Sequence, residues 1–263
     1  MGEAAEFRDL ALEAGRLVSS EIKLRAGQIK TRDTKSSPTD LVTAIDRWSE
    51  KQITDFIATK RTKDEILGEE GTTIEGTSGV KWIIDPIDGT TNFFYGLPGY
   101  TVSIGVAVDE KIVAGVIMNP FSQEEYAAAL NEGATCNGSP IAVNSPKDLS
   151  ETLLSTGFSY LPEKRKNQGK VLVEILPNVS DIRRSGSAAN DLTCVASGKV
   201  DAYFEYGLNI WDIAAGLIIV QEAGGKVSDL EGNFPSGDFV IAASPTIHDR
   251  LLDLLQTLSA DGV

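Results

Sequence analysis

Two aspartates stand three residues apart in Asp85-Pro86-Ile87-Asp88-Gly89-Thr90-Thr91-Asn92-Phe93. The segment follows Val80-Lys81-Trp82-Ile83-Ile84, a short apolar run that reads as a buried strand. Packing does not explain carboxylates at the end of such a strand. Held close together, they repel one another unless a cation or a proton lies between them. The pair therefore points to a metal site at a strand end. Further acids fall at the ends of expected elements: Asp40 with Asp46, Glu69-Glu70, and Asp212 in Asn209-Ile210-Trp211-Asp212.

The donor types narrow the chemistry. His248 is the only histidine, which argues against histidine-based zinc sites and Ser-His-Asp catalysis. Oxygen ligands alone favour Mg²⁺ or Mn²⁺. Gly224-Gly225-Lys226 lacks the other positions of a P-loop, and no Gly-x-Gly-x-x-Gly follows a strand. Hydrolysis of a phosphate ester suits such a site, because two metals about 4 Å apart neutralise the dianion and lower the pKa of a bound water. Asp85 is the candidate bridging carboxylate. Gly89 would let the backbone approach a phosphate, and a helix starting there would aim N–H groups at it.

Taken in order, these stretches resemble the inositol monophosphatase family: Lys35-Ser36-Ser37-Pro38-Thr39-Asp40-Leu41-Val42-Thr43-Ala44-Ile45-Asp46, Gly68-Glu69-Glu70, Trp82 to Phe93, and Trp211-Asp212-Ile213-Ala214-Ala215-Gly216. Gly186-Ser187-Ala188-Ala189 and Asp201-Ala202-Tyr203-Phe204-Glu205 look like its substrate-side segments. The resemblance implies a layered αβαβα fold of the fructose-1,6-bisphosphatase/inositol monophosphatase type and a Mg²⁺-dependent phosphomonoesterase. Two or three Mg²⁺ per site are implied, with Mn²⁺ as a substitute and Li⁺ as an inhibitor.

The resemblance also implies roles. Glu69, Asp85 and the Ile87 carbonyl would ligate one metal, and Asp85, Asp88 and Asp212 a second. Asp46 and Thr90 would pair, with Thr90 orienting or deprotonating the attacking water, and Glu69 would share in catalysis. Asp88, Gly89, Thr90, Gly186, Ser187, Ala188, Glu205 and Asp212 would face the substrate, Ser187 and Ala188 through backbone groups and Glu205 by accepting hydroxyl hydrogen bonds. Some inositol-preferring members carry histidine where this chain has Asn209. Inositol monophosphate is the leading substrate expectation, and Asn209 weighs against a strict preference for it. Fructose 1,6-bisphosphate, or another sugar, polyol or nucleotide phosphate, is the alternative, for which Arg183 or Arg184 could read a second phosphate. A non-catalytic role in a transcription complex is a further alternative, and a homodimer is expected by analogy.

The rest of the chain must position these groups. Its 263 residues suit one large domain or two fused lobes, and 41% hydrophobic with 24% charged residues is an ordinary globular mixture. A net charge of −14 would repel a nucleic-acid backbone. No apolar run approaches the roughly 18 residues of a membrane span. Met1-Gly2-Glu3-Ala4-Ala5-Glu6-Phe7 has no signal-peptide pattern, and Cys136 and Cys194 read as free thiols in a reducing cytoplasm.

Apolar spacing predicts helices over 3–26, about 42–59, 163–176, 188–197, 212–223, and from about Thr246. Short strands are predicted at 65–67, 81–85, 101–108, 111–119, 124–130, 152–156, 181–184, 202–205 and 239–243. Lys30 to Asp40 reads as a loop or hairpin, and Asn137-Gly138 as a turn. Elements alternate without a strict βαβ rhythm, which suggests layered α/β or α+β. The expected lobes are 1–145, with most metal ligands, and 146–263, with the substrate side and Asp212. The boundary falls within Pro140 to Ser150.

Overall fold

In the computed structural model, residues 2–29, 31, 33–34 and 41–259 are described, with the side chains of Leu41 and Ser259 set aside. Lys35 to Thr39, part of the stretch that carries the resemblance, lie outside these residues. So does Asp40, expected beside Asp46.

The helices are α1 (Glu3–Arg25), α2 (Ala44–Lys60), α3 (Thr90–Tyr95), α4 (Pro162–Ile175), α5 (Ala188–Ala196), α6 (Ile210–Glu222) and α7 (His248–Ser259). The strands are β1 (Asp33–Thr34), β2 (Leu41–Val42), β3 (Glu65–Gly68), β4 (Thr73–Ile74), β5 (Val80–Asp88), β6 (Thr101–Val108), β7 (Lys111–Asn119), β8 (Glu124–Ala129), β9 (Ala134–Cys136), β10 (Ser139–Pro140), β11 (Leu153–Thr156), β12 (Asp181–Arg183), β13 (Ala202–Tyr206), β14 (Lys226–Ser228) and β15 (Phe239–Ala243).

An eight-stranded sheet runs in the order β10-β9-β8-β7-β6-β5-β3-β4. It is antiparallel except where β3 and β5 run together. A five-stranded sheet has the order β12-β11-β13-β15-β14, with β11 parallel to both neighbours. Helices α1 and α2 cover one face of the large sheet, and α5 and α6 fill the space between the sheets. Helices α4 and α7 close the outer side of the small sheet. The layers are therefore αβαβα, as the sequence resemblance implied.

The hydrophobic patterns explain the layering. Phe7, Ala11, Ala14, Val18 and Ile22 recur at helical spacing on α1 and bury against Trp82, Ile104 and Val116. Helix α6 differs: Ile213 to Val220 is buried all round, as a helix between two sheets requires. Its approach is close. A Cβ at Gly105 would lie 2.8 Å from the Ala214 Cβ, and one at Gly115 only 2.6 Å from the Ala215 carbonyl oxygen. These two glycines let α6 lie flush on β6 and β7, which sets how near its N-terminus comes to the end of β5.

Expected and observed elements differ mainly at short pieces. The strands β4, β9, β10 and β14 have only two or three residues each, too few for an alternation to register. Helix α6 begins at Ile210 rather than Asp212, because Asn209 occupies the cap position and Asp212 is the third helical residue. Among the described residues no helix is long and apolar enough to cross a membrane.

Candidate active site

Asp85 and Asp88 are an odd number of residues apart, so a regular strand would send them to opposite faces. A bulge solves this. The β5–β6 register pairs Asp85 with Ser103 and Asp88 with Thr101, which leaves one extra residue on β5. Pro86 lies in the bulged stretch, where its missing N–H costs no ladder bond. The Asp85 carboxylate accepts a 3.0 Å hydrogen bond from the Ile87 N–H, which braces the bulge from within.

Glu69 reaches Asp85 through sheet register. Parallel pairing sets Gly68 beside Ile84, and the Glu69 N–H donates to the Ile84 carbonyl at 3.0 Å. Glu69 and Asp85 are the next residues along the two segments; β3 ends at Gly68, while β5 continues to Asp88. Asp212 arrives on the first turn of α6, where its carboxylate accepts the Asn209 N–H at 2.6 Å. Asp88 is gripped from the other sheet's side: Ser187 Oγ donates to it at 2.7 Å and the Ala189 N–H at 2.6 Å. These donors are the cap and first turn of α5. The Ser187 side chain is thus engaged with Asp88, a contact the sequence did not signal.

Thr90 opens α3, directly after Gly89, whose φ of +88° lies in the left-handed region. A Cβ at Gly89 would also approach the Gly99 carbonyl oxygen to 2.8 Å, so only glycine fits this corner. The Thr90 hydroxyl lies 2.9 Å from Asp46 Oδ1 and 3.1 Å from the Ile87 carbonyl oxygen. Asp46 is fully buried on the first turn of α2 and also accepts the Thr43 N–H at 2.9 Å and the Thr43 hydroxyl. The expected Asp46–Thr90 pairing is therefore present in the geometry.

These groups border a cleft of about 270 Å³, lined by Glu69, Asp85, Asp88, Asp212, Glu205 and Arg184 among others. Gly89, Thr90, Gly186, Ser187, Ala188 and Asn209 also line it. At Glu205, Tyr203 donates its hydroxyl at 2.6 Å, and the carboxylate occupies the space that a Gly157 side chain would need. The two arginines separate. Arg184 borders the cleft, whereas Arg183 points away and pairs with Asp181 at 2.6 Å. Lys164, on α4, lines the cleft too and carries no sequence signal beyond its charge.

The electrostatics show a site short of positive charge. Burial pushes the Asp85 carboxyl well above the ordinary carboxylate range, and repulsion from Glu69, Asp88 and Asp212 adds to it. Burial lifts Asp88 to about 7 despite the hydrogen bonds from Ser187 and Ala189. Asp212 is raised well above its usual value by burial and then by Asp88. Burial raises Glu205 to about 7, against the lowering effects of Tyr203 and Arg184. Among the described residues no three potential ligands already stand in ion-holding geometry. The fit is therefore judged on donor chemistry. Clustered buried carboxylates, with a backbone carbonyl at Ile87 and no thiol or imidazole among them, are hard oxygen donors suited to Mg²⁺ or Mn²⁺.

His248 stands apart from this cleft. Its ring nitrogens contact Ser228 Oγ at 3.1 Å and Asp249 Oδ1 at 2.9 Å. The three side chains form a Ser-His-Asp hydrogen-bond chain. Ser228 is only 1% exposed, so its hydroxyl meets no substrate and the chain ties β14 to α7.

An αβαβα sandwich that gathers acids from a bulged strand, a turn and a helix start defines a class of layered fold with an oxygen-donor centre. The Inositol monophosphatase family matches residues 3–260, and the chain belongs to that family. Inositol-1-monophosphatase SuhB of Mycobacterium tuberculosis is 43% identical over 234 residues, covering 84% of this chain and 80% of that protein. Nus factor SuhB of Pasteurella multocida is 38% identical over 95% of this chain and 94% of its own length. Among solved structures, the Thermotoga maritima IMPase superposes with a TM-score of 0.88 at 34% identity, covering 96% of this chain and 98% of that one.

Proposed function

We propose that the chain hydrolyses a phosphate monoester with Mg²⁺, inositol monophosphate being the first substrate to test. The observation that carries this is the Thr90 hydroxyl held by buried Asp46 at the edge of the acidic cleft. Glu69, Asp85 and the Ile87 carbonyl would hold one ion, and Asp85, Asp88 and Asp212 another. Bound ions would supply charge neutralisation at the phosphate and a more acidic water.

The protein's own part is positioning and proton transfer. Thr90 accepts a hydrogen bond from the attacking water while donating its own proton toward Asp46. The water proton can pass along that line as the water oxygen bonds phosphorus and the ester P–O bond breaks. Asp46 is fitted to receive it, because burial raises its carboxyl pKa, with the Thr43 and Thr90 hydrogen bonds opposing. Backbone N–H groups near Gly89 and Thr90, at the start of α3, would face the phosphate oxygens. Glu205, with Gly186, Ser187 and Ala188 along the same wall, would accept hydrogen bonds from substrate hydroxyls.

A second substrate reading has support from Arg184 and Lys164, two cationic side chains that line the cleft. A sugar bisphosphate such as fructose 1,6-bisphosphate would satisfy them. Relatives named Nus factor SuhB support a third reading, a role in a transcription complex. We also propose a homodimer, Li⁺ inhibition, a cytoplasmic location, and lobes dividing between residues 145 and 146. The strands of the large sheet end at Pro140 and those of the small sheet begin at Leu153, which supports that division.

Phosphate release from inositol 1-phosphate and fructose 1,6-bisphosphate, with and without Mg²⁺, tests the proposal. Activity should need Mg²⁺ and collapse in Asp85→Asn and Asp212→Asn. Activity that survives a chelator sinks it. If both variants retain a transcription phenotype, the non-catalytic reading gains.

A further inference from the structure

Glu69 is the one acid of the proposed metal cluster that lies on neither a strand nor a helix. A carboxylate carried by a turn needs that turn to be held. Upstream, the Glu69 N–H is fixed on the Ile84 carbonyl. Downstream, the hold comes from Glu50 on α2, a residue only 2% exposed. Its Oε2 accepts the Glu70 N–H at 2.7 Å and its Oε1 the Thr72 N–H at 2.9 Å. Both carboxylate oxygens are thus spent on the backbone immediately after Glu69.

Gly68 makes room for this grip. A Cβ there would lie 2.4 Å from both Cδ and Oε2 of Glu50. Stability alone is a poor reason for the arrangement. The hairpin it holds leads into β4, a two-residue edge strand whose residues are exposed. Burying a carboxylate is a costly way to secure such an edge, and an apolar side chain would cost less. Position offers a better reason. Asp46 and Glu50 are four residues apart on α2 and share one face. One rigid helix therefore reaches Thr90 through Asp46 and the Glu69 turn through Glu50.

We propose that Glu50 is a positioning residue that holds Glu69 for cation binding, so that α2 sets the distance between the metal site and the Thr90 hydroxyl. This rests on the reading of Glu69 as a metal ligand. In Glu50→Gln the amide keeps one acceptor but turns N–H groups toward a backbone N–H, so one grip is lost.

Mn²⁺ binding by the full-length protein, followed by electron paramagnetic resonance, tests the proposal in wild type, Glu50→Gln, Glu69→Gln and the double variant. Glu50→Gln should weaken Mn²⁺ binding by about 10- to 100-fold. The double variant should bind no more weakly than Glu69→Gln, because the two changes act on one ligand. Wild-type affinity in Glu50→Gln, or additive losses in the double variant, overturns the proposal and leaves the metal reading standing. Unchanged binding in Glu69→Gln overturns the ligand assignment itself, and the Glu50 proposal with it. If Glu50→Gln does not fold, Gly68→Ala displaces the same carboxylate sterically and carries the same outcomes.

Discussion

Gly157→Ala is a sharp test of substrate recognition because it removes no functional group. The backbone at Gly157 lies outside the left-handed region, so alanine meets no conformational penalty. Its Cβ would, however, sit 1.9 Å from Glu205 Oε2 and 2.1 Å from Cδ. The carboxylate must leave its place and the Tyr203 hydroxyl. If Glu205 accepts a hydrogen bond from a substrate hydroxyl, one charge-assisted bond is lost, worth about 1.5–3 kcal/mol. That is a fall of about 10- to 100-fold in kcat/KM. The fall should appear with inositol 1-phosphate and be small with p-nitrophenyl phosphate, which has no hydroxyl to offer. Steady-state phosphate release on both substrates measures it. An equal loss on both, or none on either, would refute the assignment of Glu205 to hydroxyl recognition.

Three further outcomes are expected. Thr90→Val should lower kcat about 10²- to 10⁴-fold with little change in KM, because it removes the proton path and leaves the acids in place. Asn92→Ala should destabilise the fold by about 1–3 kcal/mol in urea unfolding. Asn92 Nδ2 donates to both the Gly99 and Ser185 carbonyls at 2.8 Å, and so stitches α3 to the loop before α5. The third concerns pH. Burial pushes the Asp64 carboxyl up, but hydrogen bonds from Arg61, Trp82 and Ser78 outweigh it and hold the group below its ordinary 3.8. A depressed folded pKa gives stability that is complete above the unfolded value and lost as pH falls through the folded one. Asp64→Asn should therefore flatten the acid side of the stability profile below about pH 4 and leave its slope near neutrality unchanged, read from urea midpoints across pH.

Legibility in the sequence followed the range of the interactions. The paired Asp85 and Asp88 stood out because two acids ending an apolar run need a local explanation. Arg183 and Arg184 were indistinguishable as neighbours, since their fates depend on where β12 ends. One meets Asp181 across two residues, and the other turns into the cleft. Glu50 and Gly157 gave no signal. Each matters only through a partner far along the chain, the Glu69 turn and Glu205. Counting histidines argued against Ser-His-Asp catalysis, and only folding shows that Ser228 and Asp249 lie against the His248 ring, with Ser228 buried.

The sequence by itself determined the chemistry on offer. Acid types, their placement at element ends and the Gly-Thr corner after Asp88 are local properties, and they specify oxygen ligands and a hydroxyl. Only the tertiary structure decided which of these groups meet. The β5 bulge, the parallel β3–β5 register and the close seat of α6 on Gly105 and Gly115 bring Asp85, Asp88, Glu69 and Asp212 to one cleft, and α2 sets buried Asp46 against Thr90 at its edge. Those placements come from packing between segments tens of residues apart, whose energies depend on surfaces that exist only once the layers have assembled.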